Sequence, residues 1–165
     1  MSIIKSEKFM INHQMDIDMA SIQITNNNNY QILLIEDSAF DSIIIEQNLL
    51  DLTADNEIEK IFNGATAAHH LIDVNNYLTG NSDDYIKCPN IIFLDLDMPK
   101  LNGFEVLSVI ESSPELWKIP IVITSGVCQD NYVQQNYHNI NIIDFIQKPC
   151  YQVDLMKALK QAGLY

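Results

Sequence analysis

The 165-residue chain predicts a doubly wound α/β fold: a five-stranded parallel sheet with helices on both faces. Short apolar runs recur along it, several lacking the polar alternation of a half-exposed strand, as strands buried on both faces require. Each run breaks at a polar, Asn/Gly or Pro signal. Between successive runs lie segments with apolar residues at three- and four-residue spacing, suited to the crossover helix that joins parallel strands.

In chain order, Gln31-Ile32-Leu33-Leu34-Ile35 is the first strand and ends at Glu36-Asp37. Ser38 is placed to cap a helix carrying Phe40, Ile43, Ile44 and Leu50. Glu57 to Phe62 alternates as a second strand and closes at Asn63-Gly64. A helix with Ala68, Leu71 and Ile72 follows, then a polar loop from about Asn75 to Lys87. The third strand, Ile91 to Leu94, drives without interruption into Asp95 and the Pro/Asn/Gly-rich stretch behind it. Its helix starts after Gly103, shows Phe104, Leu107 and Ile110, and is stopped by Pro114. Pro120 to Ile123 is the fourth strand and enters Thr124-Ser125-Gly126. A helix over roughly Gln129 to Tyr137 places Val133 and Tyr137 four apart. Ile142 to Ile146 is the fifth strand, ending at Lys148-Pro149, and the last helix holds Leu155, Met156 and Leu159.

Residues 1–29 stand apart. Their apolar residues show no clear period, and they finish in Asn26-Asn27-Asn28-Asn29, where side chains compete with regular structure for backbone bonds. The reading is an N-terminal extension, a linker or partly disordered arm, ahead of one domain over residues 30–165.

A formal charge of -13 excludes a sequence-independent grip on nucleic acid, which needs clustered Lys and Arg. No apolar run is long enough for a bilayer, and charges interrupt any leader pattern in the first residues, so a cytoplasmic protein is expected. Cys88, Cys128 and Cys150 are odd in number and lack CxxC spacing, which argues against a disulfide framework or a zinc site.

In open parallel sheets, ligands bind beyond the carboxyl ends of the strands. There the first strand offers Glu36 and Asp37, the third Asp95, the fourth Ser125 and the fifth Lys148. Three carboxylates in one mouth repel unless a divalent cation sits between them, and hard oxygen ligands suit Mg²⁺. A hydroxyl and an ammonium opposite the metal would bind phosphoryl oxygens, the layout phosphoryl transfer needs.

With these residues in this order, the chain resembles a response-regulator receiver domain, of the stand-alone chemotaxis-regulator type, over about Tyr30 to Tyr165. The resemblance implies a flavodoxin-like strand order 2-1-3-4-5. It makes Asp37 the direct Mg²⁺ ligand, with Glu36 acting largely through water, and Asp95 the phosphoacceptor. Asp97 becomes the residue whose main-chain carbonyl also meets the metal. Ser125 becomes the switch hydroxyl, Lys148 the phosphate-binding lysine and Phe145 the aromatic that repacks; a cis bond is expected at Lys148-Pro149. Ser125 stands where threonine is commoner, and Gly126 where alanine is. Thr124 is the adjacent alternative, and counting from Pro120 favours Ser125. Phe145 lacks a tyrosine's hydroxyl, and the loop from Asn75 to Lys87 is long, as in the phytochrome-associated subgroup.

The implied partners are a sensor histidine kinase or phosphotransfer protein and an unknown downstream protein. The latter would meet the fourth helix, fifth strand and fifth helix of a monomer or weak homodimer. Beyond its own phosphorylation and dephosphorylation the domain would not be an enzyme. Two alternatives compete. Asp95-Leu96-Asp97 superficially fits a haloacid-dehalogenase-like phosphatase, although there the nucleophile strand comes early. A receiver-like binding module that is never phosphorylated is the other, and the intact set of site residues argues against it. His69 and His70 are adjacent on a helix and so point apart, which disfavours a shared metal. Trp117 reads as a surface-anchoring aromatic and Asp83-Asp84 as a solvated turn.

Overall fold

The computed structural model describes residues 30–52, 56–127 and 130–165. The N-terminal extension and Cys128 lie outside them. The elements alternate as β1 (Gln31–Ile35), α1 (Ala39–Leu52), β2 (Glu57–Ile61), α2 (Gly64–Leu78), β3 (Ile91–Asp95) and α3 (Gly103–Glu111). After a 3-10 turn at Leu116–Lys118 come β4 (Ile121–Ser125), α4 (Asp130–Asn136), β5 (Ile142–Gln147) and α5 (Gln152–Gln161). The five strands form one parallel sheet in the order β2-β1-β3-β4-β5. Among the described residues no helix is long and apolar enough to cross a membrane.

Alternation along the strands divides the core into two layers. Leu33 and Ile35 of β1 face one layer with Ile92 and Leu94 of β3, against Leu71 of α2, Leu107 of α3 and Val133. Ile32 and Leu34 face the other, with Ile91 and Phe93, against Ile45 and Leu49 of α1 and Leu155 and Leu159 of α5. The central strand β3 is buried at every position, which is why its sequence is an unbroken apolar run. The edge strand β2 is buried only at Ile61, which explains its charged positions.

Two helix faces differ from the sequence expectation. In α1 the buried positions are Ser42, Ile45 and Leu49, while Phe40 is 73% exposed and Ile43 and Leu50 also face solvent. This helix is apolar on nearly every side, so periodicity could not choose the face; the sheet did. Likewise Ile72 of α2 is exposed, and Ala67, Leu71 and Val74 turn inward. The cap at Ser38 is present, its hydroxyl accepting the Asp41 N–H at 3.2 Å. Helix α3 begins with a reciprocal capping box: the Asn102 side chain accepts from Glu105 N while Glu105 accepts from Asn102 N. Trp117 lies in the 3-10 turn, half-buried, with its indole N–H donating to the Glu111 carbonyl at 2.8 Å. Asp83 and Asp84 are exposed, and His69 faces solvent while His70 lies 3.7 Å from Glu59.

Gly103 is the local feature that shapes the end of β3. A Cβ there would run into the Asp95 carbonyl oxygen and lie 2.6 Å from Leu96 Cα. Only a bare α-carbon lets α3 start this close to the strand that carries Asp95. Gly103→Ala should therefore cost about 2–3 kcal/mol of stability in urea unfolding. Gly126→Ala, whose new carbon would meet nothing nearer than Asp97 Oδ2 at 3.9 Å, should stay within about 0.5 kcal/mol of wild type.

Candidate functional site

The carboxyl ends of β1, β3, β4 and β5 converge as the alternation predicts. Glu36 follows β1 and is 1% exposed; Asp95 closes β3 and is 1% exposed. One oxygen from each of Glu36, Asp37 and Asp95 lies within 4.8 Å of the others. Lys148, just beyond β5, places its Nζ 2.7 Å from Glu36 Oε2 and 2.9 Å from Asp95 Oδ2. The peptide between Lys148 and Pro149 is cis. The main chain of Lys148 is tied to its neighbour strand, its N–H donating to the Ser125 carbonyl at 2.9 Å.

Ser125 ends β4 and joins this cluster through Asp97. Its hydroxyl donates to Asp97 Oδ2 at 2.8 Å, and the Gly126 N–H reaches the same oxygen at 3.2 Å. The backbone N–H of Asp97 in turn donates to Asp95 Oδ1 at 3.0 Å. Thr124, the neighbouring hydroxyl, is fully buried and its Oγ1 has no hydrogen-bond partner, so Ser125 is the hydroxyl presented at the mouth. Phe145 is half-buried and packs against the α2–α3 layer of the core.

Two contributions were not read from the sequence. Asp41 Oδ2 stands 3.4 Å from Lys148 Nζ; its place in the first turn of the helix that follows Glu36-Asp37 was the available signal. The side-chain bonds of Asp97 depend on how two loops meet, which spacing does not reveal.

The electrostatics are unbalanced. Glu36, Asp41 and Asp95 lie within 3.4 Å of one ammonium, and Asp37 adds a further carboxylate beside Glu36 and Asp95. Burial pushes the Glu36 carboxyl up from 4.5 to about 7, with Asp95 adding repulsion, although Lys148 and the Ser38 N–H favour the ionised form. Burial alone would lower Lys148, yet its hydrogen bonds to Glu36 and Asp95 hold it above the usual lysine value. Nearby Cys150 is buried, its thiol pushed up to about 12 by desolvation, and so stays neutral. Hard oxygen donors with excess negative charge in one small mouth fit a divalent cation such as Mg²⁺ or Mn²⁺.

The raised Glu36 pKa carries a sign. Its protonated form suits burial, so its contribution to stability is full below about pH 4.5 and is lost as pH rises toward about 7. In metal-free buffer, Glu36→Gln should gain on wild type across that window, by up to about 3 kcal/mol, in urea melts at pH 5 and pH 8. A difference between the two proteins that does not change with pH would refute this.

The family model of the response regulator receiver domain matches residues 32–160. Response regulator Rcp1 of Synechocystis is 33% identical over 129 residues, covering 78% of this chain and 83% of Rcp1. The crystal structure of the Mn²⁺-bound form of Rcp1 superposes with a TM-score of 0.59 at 32% identity, covering 82% of this chain and 91% of that one. The phosphorylated cyanobacterial phytochrome response regulator RcpA gives 0.60 at 28% identity, with the same coverage of 82% and 91%. The five-stranded sheet and its strand order are those of the flavodoxin-like receiver fold. With a matching family model over most of its length, this chain belongs to the response regulator receiver domains of two-component signalling.

Proposed function

We propose that this protein is a single-domain response regulator that accepts a phosphoryl group on Asp95 in a Mg²⁺-dependent reaction. The observation that carries the reading is the position of Lys148, whose ammonium lies within 3 Å of both Glu36 and the buried Asp95. Glu36, Asp37 and Asp95, with the main-chain carbonyl of Asp97, would hold the metal, which when bound neutralises carboxylate and phosphoryl oxygens.

In the transfer, an Asp95 carboxylate oxygen attacks the phosphorus of a kinase phosphohistidine. A P–O bond forms, the P–N bond breaks, and the electron pair returns to the imidazole. Lys148 stabilises the negative charge on the transferring oxygens. Hydrolysis reverses the loading: water attacks phosphorus, the P–O bond to Asp95 breaks, and inorganic phosphate leaves the free carboxylate behind. The acyl phosphate brings charge and strong acceptor oxygens. Ser125 and Lys148 turn toward them, Phe145 moves inward, and the α4–β5–α5 face changes its affinity for a downstream protein.

The donor is a sensor histidine kinase or phosphotransfer protein, and the chain works in the cytoplasm as a monomer or weak homodimer. Phytochrome response regulators among the similar structures support the phytochrome-associated subgroup. No observation favours the haloacid-dehalogenase-like phosphatase, since the Asp97 carboxylate is occupied by Ser125 and Gly126. Nor does any favour the unphosphorylated binding module.

Incubation with radiolabelled acetyl phosphate and Mg²⁺ should label the wild type, and EDTA or Asp95→Asn should abolish the label. Lys148→Ala should slow labelling by about a hundredfold. Label retained by Asp95→Asn at the wild-type level would reject Asp95 as the acceptor.

A further inference from the structure

Asp97 is bonded to both halves of the site. Its backbone N–H holds the Asp95 carboxylate at 3.0 Å, and its side chain holds the Ser125 hydroxyl at 2.8 Å. A serine hydroxyl has one proton to give. While that proton is donated to Asp97, it is unavailable to an oxygen on a group attached to Asp95. The same Asp97 oxygen takes the Gly126 N–H at 3.2 Å, and the Val127 N–H donates back to Ser125 Oγ at 3.2 Å. The start of the β4–α4 loop is thereby fastened to the β3–α3 loop through one carboxylate.

We propose that the Asp97 side chain is a latch: it holds Ser125 and the β4–α4 loop in the unphosphorylated arrangement. A phosphoryl group at Asp95 must then compete with Asp97 for the Ser125 proton. This rests on the receiver reading above and deepens it by naming the residue that sets the resting bias. Two physical features support it. The bond is charge-assisted, so it is stronger than one between neutral groups. Asp97 is solvent-exposed, so water can take over its oxygens when Ser125 leaves and the release is reversible. Asp97 is a positioning residue in this scheme, acting through Ser125.

The test is a double-mutant cycle on the full chain with Asp97→Ala, Asp97→Asn, Ser125→Ala and the Asp97→Ala/Ser125→Ala pair. The readouts are affinity for beryllium trifluoride with Mg²⁺, followed at the Gly126 amide by NMR, and acetyl phosphate labelling of Asp95. Asp97→Ala should still be labelled on Asp95 and should bind beryllium trifluoride roughly three- to tenfold more tightly than wild type. Asp97→Asn, which keeps an acceptor without the charge, should recover less than half of that gain on a logarithmic scale. In the Ser125→Ala background, Asp97→Ala should change affinity by less than about 1.5-fold. An unchanged affinity in Asp97→Ala overturns the latch. So does an equal gain in Asp97→Asn, or a gain that persists without the Ser125 hydroxyl, since either is charge repulsion alone. Failure of the wild type itself to label would instead remove the receiver reading, and the latch with it.

Discussion

The bridge from Lys148 to Glu36 and Asp95 is the interaction on which the site depends. It spans three strands that are distant in sequence and adjacent or nearly so in the sheet, so it forms only when β1, β3 and β5 are all in register. Two carboxylates so fully buried would be costly without a cation. The lysine makes their burial tolerable without cancelling their charge, as the raised Glu36 pKa records. The mouth thus gathers an excess of negative charge of the kind that a divalent cation would relieve.

Much of this is legible in the sequence. Strands buried on both faces read as uninterrupted apolar runs, so β1, β3 and β4 could be placed closely, and their polar end residues followed. Glu36 and Asp95 stand out for the same reason, each being the first polar side chain after such a run, whereas Ser125 comes after Thr124 and Lys148 after Gln147. What the sequence hid depends on tertiary packing. Helix α1 carries apolar residues all round, so nothing local separates Ile45 and Leu49, which meet the sheet, from Phe40 and Ile43, which do not. The engagement of Asp97 with Ser125 depends on two loops approaching one another, and Asp41 enters the site because the first turn of α1 brings its carboxylate within 3.4 Å of Lys148.

The two faces of the sheet also divide the labour. Helices α1 and α5 share one layer, and Asn48 of α1 donates to the Cys150 carbonyl at 3.1 Å, fixing the turn that follows Lys148 against α1. On the other face, Tyr137 beyond α4 donates through its hydroxyl to the Phe104 carbonyl at 3.0 Å, and the Phe104 ring meets Tyr132 edge-on at 5.1 Å. The short helix α4 is therefore held by Val133 in the core, by Tyr132 against the first turn of α3, and by Tyr137 just beyond its end.

Gly64 and Gly103 give this architecture a direction. The first glycine lets the start of α2 press on the Leu101 carbonyl, and the second lets α3 press on the end of β3. The stretch between Asp95 and Asn102 is packed against the starts of both helices. Across the mouth, Gly126 has open space around its α-carbon. Strain introduced between these two rims would thus leave the Asp95 side standing as an anvil and displace the Ser125 side, sending motion toward α4 and β5 and away from α2 and α3.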